Sequence, residues 1–191
     1  AFLRAPIESL IIGGMIEDLT SSAFTGRAKV NGTWQDFSIC STLQSAQINL
    51  VSIPAQLFYR CFELTELDLG NSVQLIGNNA FYEASALTSL SIPSSVTNIG
   101  AGAFRSSGLV SLKIPPSVEV IGEEAFAYTS IESLDLELGV VELRAGAFRG
   151  VPLDAAVIPK SVDVLGNTVF DFVGKVAIIV ESLEGNIRQF S

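Results

Sequence analysis

The chain has 191 residues, 48% of them apolar, with 20 acidic and 11 basic side chains and a net charge of −9 at neutral pH. Such a composition builds a core and does not describe a disordered segment. Nucleic acid is excluded as the expected partner, because phosphate contact needs clustered Lys and Arg, and the basic residues here are scattered. Histidine is absent, which removes the commonest general base and the commonest metal ligand. No catalytic residue, metal site or cofactor is therefore expected. The longest apolar runs, Leu10 to Met15 and Val176 to Val180, fall far short of a membrane span, so no transmembrane segment is expected. The chain opens on Ala1-Phe2-Leu3 with neither an initiator Met nor a signal peptide, as in a mature or excised piece.

Internal repetition organises the rest. The first copy, IESLIIGGMIEDLTSSAF from Ile7, ends at Phe24, and Ala1-Phe2 fits the tail of a copy before it. Residues 25–36, TGRAKVNGTWQD, break the period. Asn31-Gly32 between two extended-looking segments predicts a hairpin or loop that interrupts the stack and carries the single Trp. A cover over a core edge is favoured there over a protruding contact element. Asn31-Gly32-Thr33 is also an N-glycosylation sequon, which matters only in a eukaryotic secretory setting.

Regular copies occupy 37–175. A shortened one starts at Leu43, and full ones start at Leu64, Leu87, Leu109, Ile131 and Leu153, with a further start placed at Val176. Residues 176–191 supply a last strand and a C-terminal cap, and the whole chain, 1–191, reads as one domain. The shared pattern is L-x-x-L-x-I-P-x-S-V-x-x-I-G-x-x-A-F. Its first half alternates as a strand with one buried face. Pro or Gly then ends the strand, and Val, Ile, Ala and Phe point inward from coil or a short helical turn. Gly77, Gly100, Gly122 and Gly166 predict a tight bend or a close backbone approach, and Arg144 in the same column predicts a different bend. One copy cannot bury its own apolar edge, but stacked copies can, with rungs ~4.8 Å apart. Phe58, Phe81, Phe104, Phe126, Phe148 and Phe170 then form an internal column, read as core in preference to an aromatic ligand box.

The motif I-P-x-S-V-x-x-I-G-x-x-A-F, clearest over Ile92 to Phe104 and Ile114 to Phe126, resembles the BspA-like (treponemal-type) leucine-rich repeat. It departs from ordinary leucine-rich repeats, which place Asn or Cys where Ser72, Ser95, Ser117 and Ser161 stand. The resemblance implies a leucine-rich-repeat solenoid, α/β by convention, arc-shaped, with one parallel β-sheet on the concave face and coil and short helical turns on the convex face. It further implies a cell-surface, periplasmic or secreted binding protein, since the family includes surface adhesins for host matrix proteins and proteins of cell aggregation.

On the expected concave face one outward column reads Ser9, Ser45, Glu66, Ser89, Ser111, Ser133, Ala155. The next reads Ile11, Gln47, Asp68, Ser91, Lys113, Asp135, Val157. Small polar residues suit a crowded sheet face, so the first column is read mainly as structural. The second varies within a fixed frame, which is where a binding surface would be written. If Ile178 and Val180 continue these columns, the C-terminal end becomes an apolar patch. The acidic residues between Glu119 and Glu142 read as a solvated flank in preference to a cation site. Cys40 and Cys61 hold equivalent places in successive copies. Two buried free thiols are favoured there over a disulfide, because in-register side chains point the same way.

The expected function is non-catalytic binding of a protein, for example a host matrix glycoprotein, through the concave strands. The alternatives are a hydrophobic small-molecule or lipid binder using an apolar end of the arc, and a purely structural arm. Self-association through the stack ends is a further expectation.

Overall fold

The computed structural model of the chain describes residues 8–13, 25–30, 33–171 and 177–181. Its strands in chain order are β1 (Ser9–Gly13), β2 (Thr25–Val30), β3 (Thr33–Ser38), β4 (Ser45–Asn49), β5 (Ser52–Ile53), β6 (Glu66–Asp68), β7 (Leu75–Ile76), β8 (Asn98–Ile99), β9 (Ser111–Ile114), β10 (Val120–Ile121), β11 (Ser133–Leu136), β12 (Glu142–Leu143), β13 (Ala155–Ile158), β14 (Val164–Leu165) and β15 (Ala177–Val180). A 3₁₀ turn, Ile39–Ser41, lies between β3 and β4. Parallel pairing between successive copies makes a solenoid, and each turn of it contributes to three ladders.

The first ladder comes from the L-x-x-L-x-I segments. It alternates as a pleated strand must: along β9, Ser111 and Lys113 are exposed while Leu112 and Ile114 are buried. The one continuous sheet expected on this face is instead divided, as β1-β4-β6, β9-β11 and β13-β15. The segment Leu87–Ile92 between β6 and β9 is not a paired strand, although Val110 N still donates to Thr88 O at 3.1 Å.

Continuity is carried further along each copy. There the two-residue strands β5, β7, β8, β10, β12 and β14 form an unbroken six-stranded parallel sheet. These are the x-I positions of S-V-x-x-I. Two residues are too few to display a period, so the pattern alone did not mark them as strand. The shortened copy joins the same sheet, with Ile53 opposite Ile76.

The third ladder is made by the turn around each Phe. Phe81 N donates to Ala103 O at 2.7 Å, Phe104 N to Ala125 O at 2.7 Å and Phe126 N to Ala147 O at 2.8 Å. Intervening amides instead close local turns, as when Arg105 N donates to Gly102 O at 3.1 Å. The alternation demands left-handed backbone two residues before and two after each Phe. Gln56, Asn79, Gly102, Glu124, Gly146 and Thr168 form the first such column, and Arg60, Glu83, Ser106, Tyr128 and Gly150 the second, with φ of 51–70°.

The glycine column after the second Ile does something else. Its members are not left-handed; a Cβ on Gly122 would lie 2.6 Å from Ala101 N, and one on Gly166 2.4 Å from Ala145 N. Close approach of neighbouring rungs is the reason for glycine there. The altered bend expected at Arg144 is not seen in the ladder: Arg144 N donates to Ile121 O at 3.0 Å, as Gly122 N does to Ile99 O at 2.8 Å. In the serine column, Ser95 Oγ donates to Val73 O at 2.7 Å and Ser161 Oγ accepts from Gly139 N at 3.3 Å. These two hydroxyls tie one rung to the next, whereas Ser117 Oγ is buried without a hydrogen-bond partner among the described residues.

Between the ladders runs the core. Phe58, Phe81, Phe104, Phe126 and Phe148 are fully buried and Phe170 is half-buried. Their rings stack nearly parallel at centroid separations of 5.1–5.6 Å, an offset stack set by the rung spacing.

Cys40 and Cys61 are also buried, and they are joined as a disulfide. This corrects the expectation of two free thiols. Adjacent rungs bring the two α-carbons to 4.1 Å, and that approach outweighs the parallel direction of the side chains. The bond fastens the 3₁₀ turn after β3 onto the shortened copy.

Strands β2 and β3 pair antiparallel from Thr25↔Ser38 to Val30↔Thr33. This hairpin reaches Ser38, two residues beyond the expected interruption, and its connection at 31–32 lies outside the described residues. The same holds for much of the first repeat, 14–24, and of the expected cap, 182–191.

Candidate binding surface

Pairing register fixes which side chains share the exposed strand face. Ser9, Ser45 and Glu66 align, as do Ile11, Gln47 and Asp68. Further along, Ser111 aligns with Ser133 and Lys113 with Asp135. Ser9, Ile11, Gln47, Glu66, Asp68, Ser89, Ser91, Ser111, Lys113, Ser133, Asp135 and Val157 are all exposed. At the C-terminal end one assignment changes. Ala155 faces Ala177 and Val157 faces Ile179, so Ala177 and Ile179 continue the outward columns, while Ile178 and Val180 follow the inward residues Ala156 and Ile158. The last copy is one residue shorter than a start at Val176 implies.

The two halves of the face differ electrostatically. Lys113 Nζ lies 2.6 Å from Glu137 Oε1 and 3.5 Å from Asp135 Oδ2. The hydrogen bond and charge of Glu137, then those of Asp135, hold the ammonium pKa above its ordinary value. That half already pairs its own cation. Towards the N-terminal end, among the described residues, Asp68 is held by hydrogen bonds only: Oδ1 accepts from Gly70 N at 2.8 Å and Oδ2 from Gln47 Nε2 at 3.3 Å. Around it is a hollow of about 390 Å³ lined by β1, β4 and β6.

A second side-chain ladder, on the turn flank, was not anticipated. Tyr59 stacks on Tyr82 at 5.0 Å, and the Arg105 guanidinium lies 5.0 Å from the Tyr128 ring centroid. Arg60 pairs with Glu83 at 3.0 Å, Arg105 with Glu124, and Arg149 with Asp171 at 3.3 Å. Reading the positions one and two after each Phe down the stack would have exposed this column. It also divides the acidic stretch. Glu124 serves the arginines, Glu137 serves Lys113, and Glu142 pairs with Arg144 at 3.0 Å, raising the Arg144 pKa. Among the described residues, no group of three or more Cys, Asp and Glu side chains could hold a metal ion, and no helix is long and apolar enough to cross a membrane.

Stacked parallel rungs, one exposed strand face and a core of recurring Leu, Ile and Phe define a leucine-rich-repeat solenoid. The sequence matches the BspA type Leucine rich repeat region in six copies over residues 51–175, and the chain belongs to that family. Three solved structures share the fold. A leucine rich cell surface protein from Faecalibacterium prausnitzii A2-165 is 24% identical, with a TM-score of 0.71 over 94% of this chain and 49% of its own. The T. pallidum Leucine Rich Repeat protein is 24% identical, with a TM-score of 0.63 over 91% and 74%. A leucine-rich repeat protein from Bacteroides ovatus ATCC 8483 is 20% identical, with a TM-score of 0.54 over 90% and 59%. The chain thus spans about half the length of the first of these. A search of curated protein sequences gave no match.

Proposed function

We propose that this chain is a non-catalytic binding module, displayed on a cell surface or secreted, that engages a protein ligand through its strand face. The observation that carries the reading is the pair of outward columns. In them, exposed residues of varied chemistry (Ile11, Gln47, Asp68, Lys113, Asp135) stand on a frame whose inward positions barely change. Such a strip runs for about 30 Å, long enough for an interface of standard size. The description of the F. prausnitzii relative as a cell surface protein supports the location. So does the Cys40–Cys61 disulfide, since such bonds persist in oxidising compartments. A host matrix glycoprotein is the ligand class to test first. Alanine at Asp68, Lys113 and Asp135 is expected to weaken saturable binding to one such glycoprotein while the circular dichroism spectrum stays unchanged. Undiminished affinity would move the site off this face.

A second reading has its own support. Leu165 is 39% exposed, whereas its equivalents Ile53, Ile76, Ile99, Ile121 and Leu143 are fully buried. With the exposed Val164 beside it, it makes an apolar end suited to a hydrophobic small molecule or lipid. Vesicle co-sedimentation that fails with Leu165→Ser would support it, and no sedimentation with any vesicle would dismiss it.

A further inference from the structure

We propose that the hollow at the N-terminal end of the strand face anchors a Lys or Arg side chain of a protein partner, with a neighbouring apolar residue of that partner covering Ile11. The inference deepens the strand-face reading and rests on it. Glu66 and Asp68 alternate on β6, so both carboxylates leave the same side of the strand. Neither has a Lys or Arg within ion-pair distance among the described residues, whereas Asp135 on the same face already holds Lys113. Asp68 is also pre-oriented. Gly70 N and Gln47 Nε2 occupy one acceptor direction on each oxygen, and a carboxylate has roughly four such directions. A guanidinium or ammonium entering between the two carboxylates therefore meets, at Asp68, an acceptor that is already oriented.

Apolar surface lies beside the charge. Ile11 is 73% exposed, the most exposed large apolar side chain among the described residues, and it stands in the column of Gln47 and Asp68. A basic side chain matches this pairing of carboxylate and aliphatic surface, because its methylene stem packs while its head stays charged. A calcium ion matches it poorly, since calcium takes about 6–8 oxygen ligands. The net charge of −9 attracts such a partner from a distance.

The test titrates the full chain with three ten-residue peptides: one carrying Arg beside Leu, one with Gln for the Arg, and one with Ser for the Leu. The Arg-Leu peptide is expected to bind tightest. Glu66→Gln with Asp68→Asn, which keeps the acceptors, is expected to weaken it about tenfold. Glu119→Gln with Asp163→Asn removes the same charge at exposed positions off the strand face and is expected to leave affinity within about twofold. Arg-Leu binding no tighter than Gln-Leu, or equal losses in the two double variants, would overturn the anchor. The strand-face reading is judged separately, by arginine substitution at Ser89, Ser111 and Ser133, so the anchor can fail while that reading stands.

Discussion

Backbone conformation at single residues sets the turn ladder, and part of it is strained. Thr168 and Glu124 occupy the left-handed region that Gly102 and Gly146 occupy in the same column. A non-glycine residue there costs roughly 1–2 kcal/mol, and a β-branched one is least suited to it. Thr168→Gly is therefore expected to raise the melting temperature by about 2–4 °C. Gly150→Ala is expected to lower it, since φ is +70° and the new Cβ would lie 2.7 Å from Tyr128 Cδ1. Calorimetry of the two variants checks both signs. The columns were half legible: Gly102 and Gly146 hint at the conformation, but Gln, Asn, Glu and Thr in equivalent places hide it.

Lys113 makes a second prediction at this scale. Its folded pKa is raised, so its ion pair stabilises the fold fully below the unfolded value of 10.5 and loses that contribution as pH rises through the higher folded value. The stability difference between the chain and Lys113→Met should stay constant up to about pH 10.5 and shrink only above it. A difference already falling near neutrality would contradict the pairing. The sequence placed Lys113 and Asp135 side by side, but Glu137 entered only through the bend that follows β11.

At the level of elements, the Phe stack supplies the largest fully buried side chains of the core. Phe104→Ala removes a fully buried ring flanked by two others and is expected to cost about 3–5 kcal/mol in chemical denaturation. The half-buried Phe170 should cost less. This column was readable because its period is that of the repeat. The two-residue sheet was not, because two residues are too few to show an alternation. The disulfide was misjudged for a related reason: the spacing gave the rung separation but not the local approach of Cys40 and Cys61. Alkylation in denaturant without reductant should leave the mass unchanged, and two added groups would show free thiols.

For the whole molecule, repetition made the solenoid and its strand face legible. The register departs from expectation at the C-terminal end, where Ile179, not Ile178, proves to be outward. Interactions between copies, such as Arg105 with Glu124 or Tyr59 with Tyr82, depend on columns that the strand pattern does not weigh. What the face does is a question of surface chemistry, which the frame leaves open. The most direct measurement places arginine at Ser89, Ser111 and Ser133, three exposed positions of one column, and compares glycoprotein binding and melting temperature with those of the unaltered chain. Binding abolished at an unchanged melting temperature is the predicted result. Full binding by the substituted, folded chain would contradict the assignment of function to the strand face.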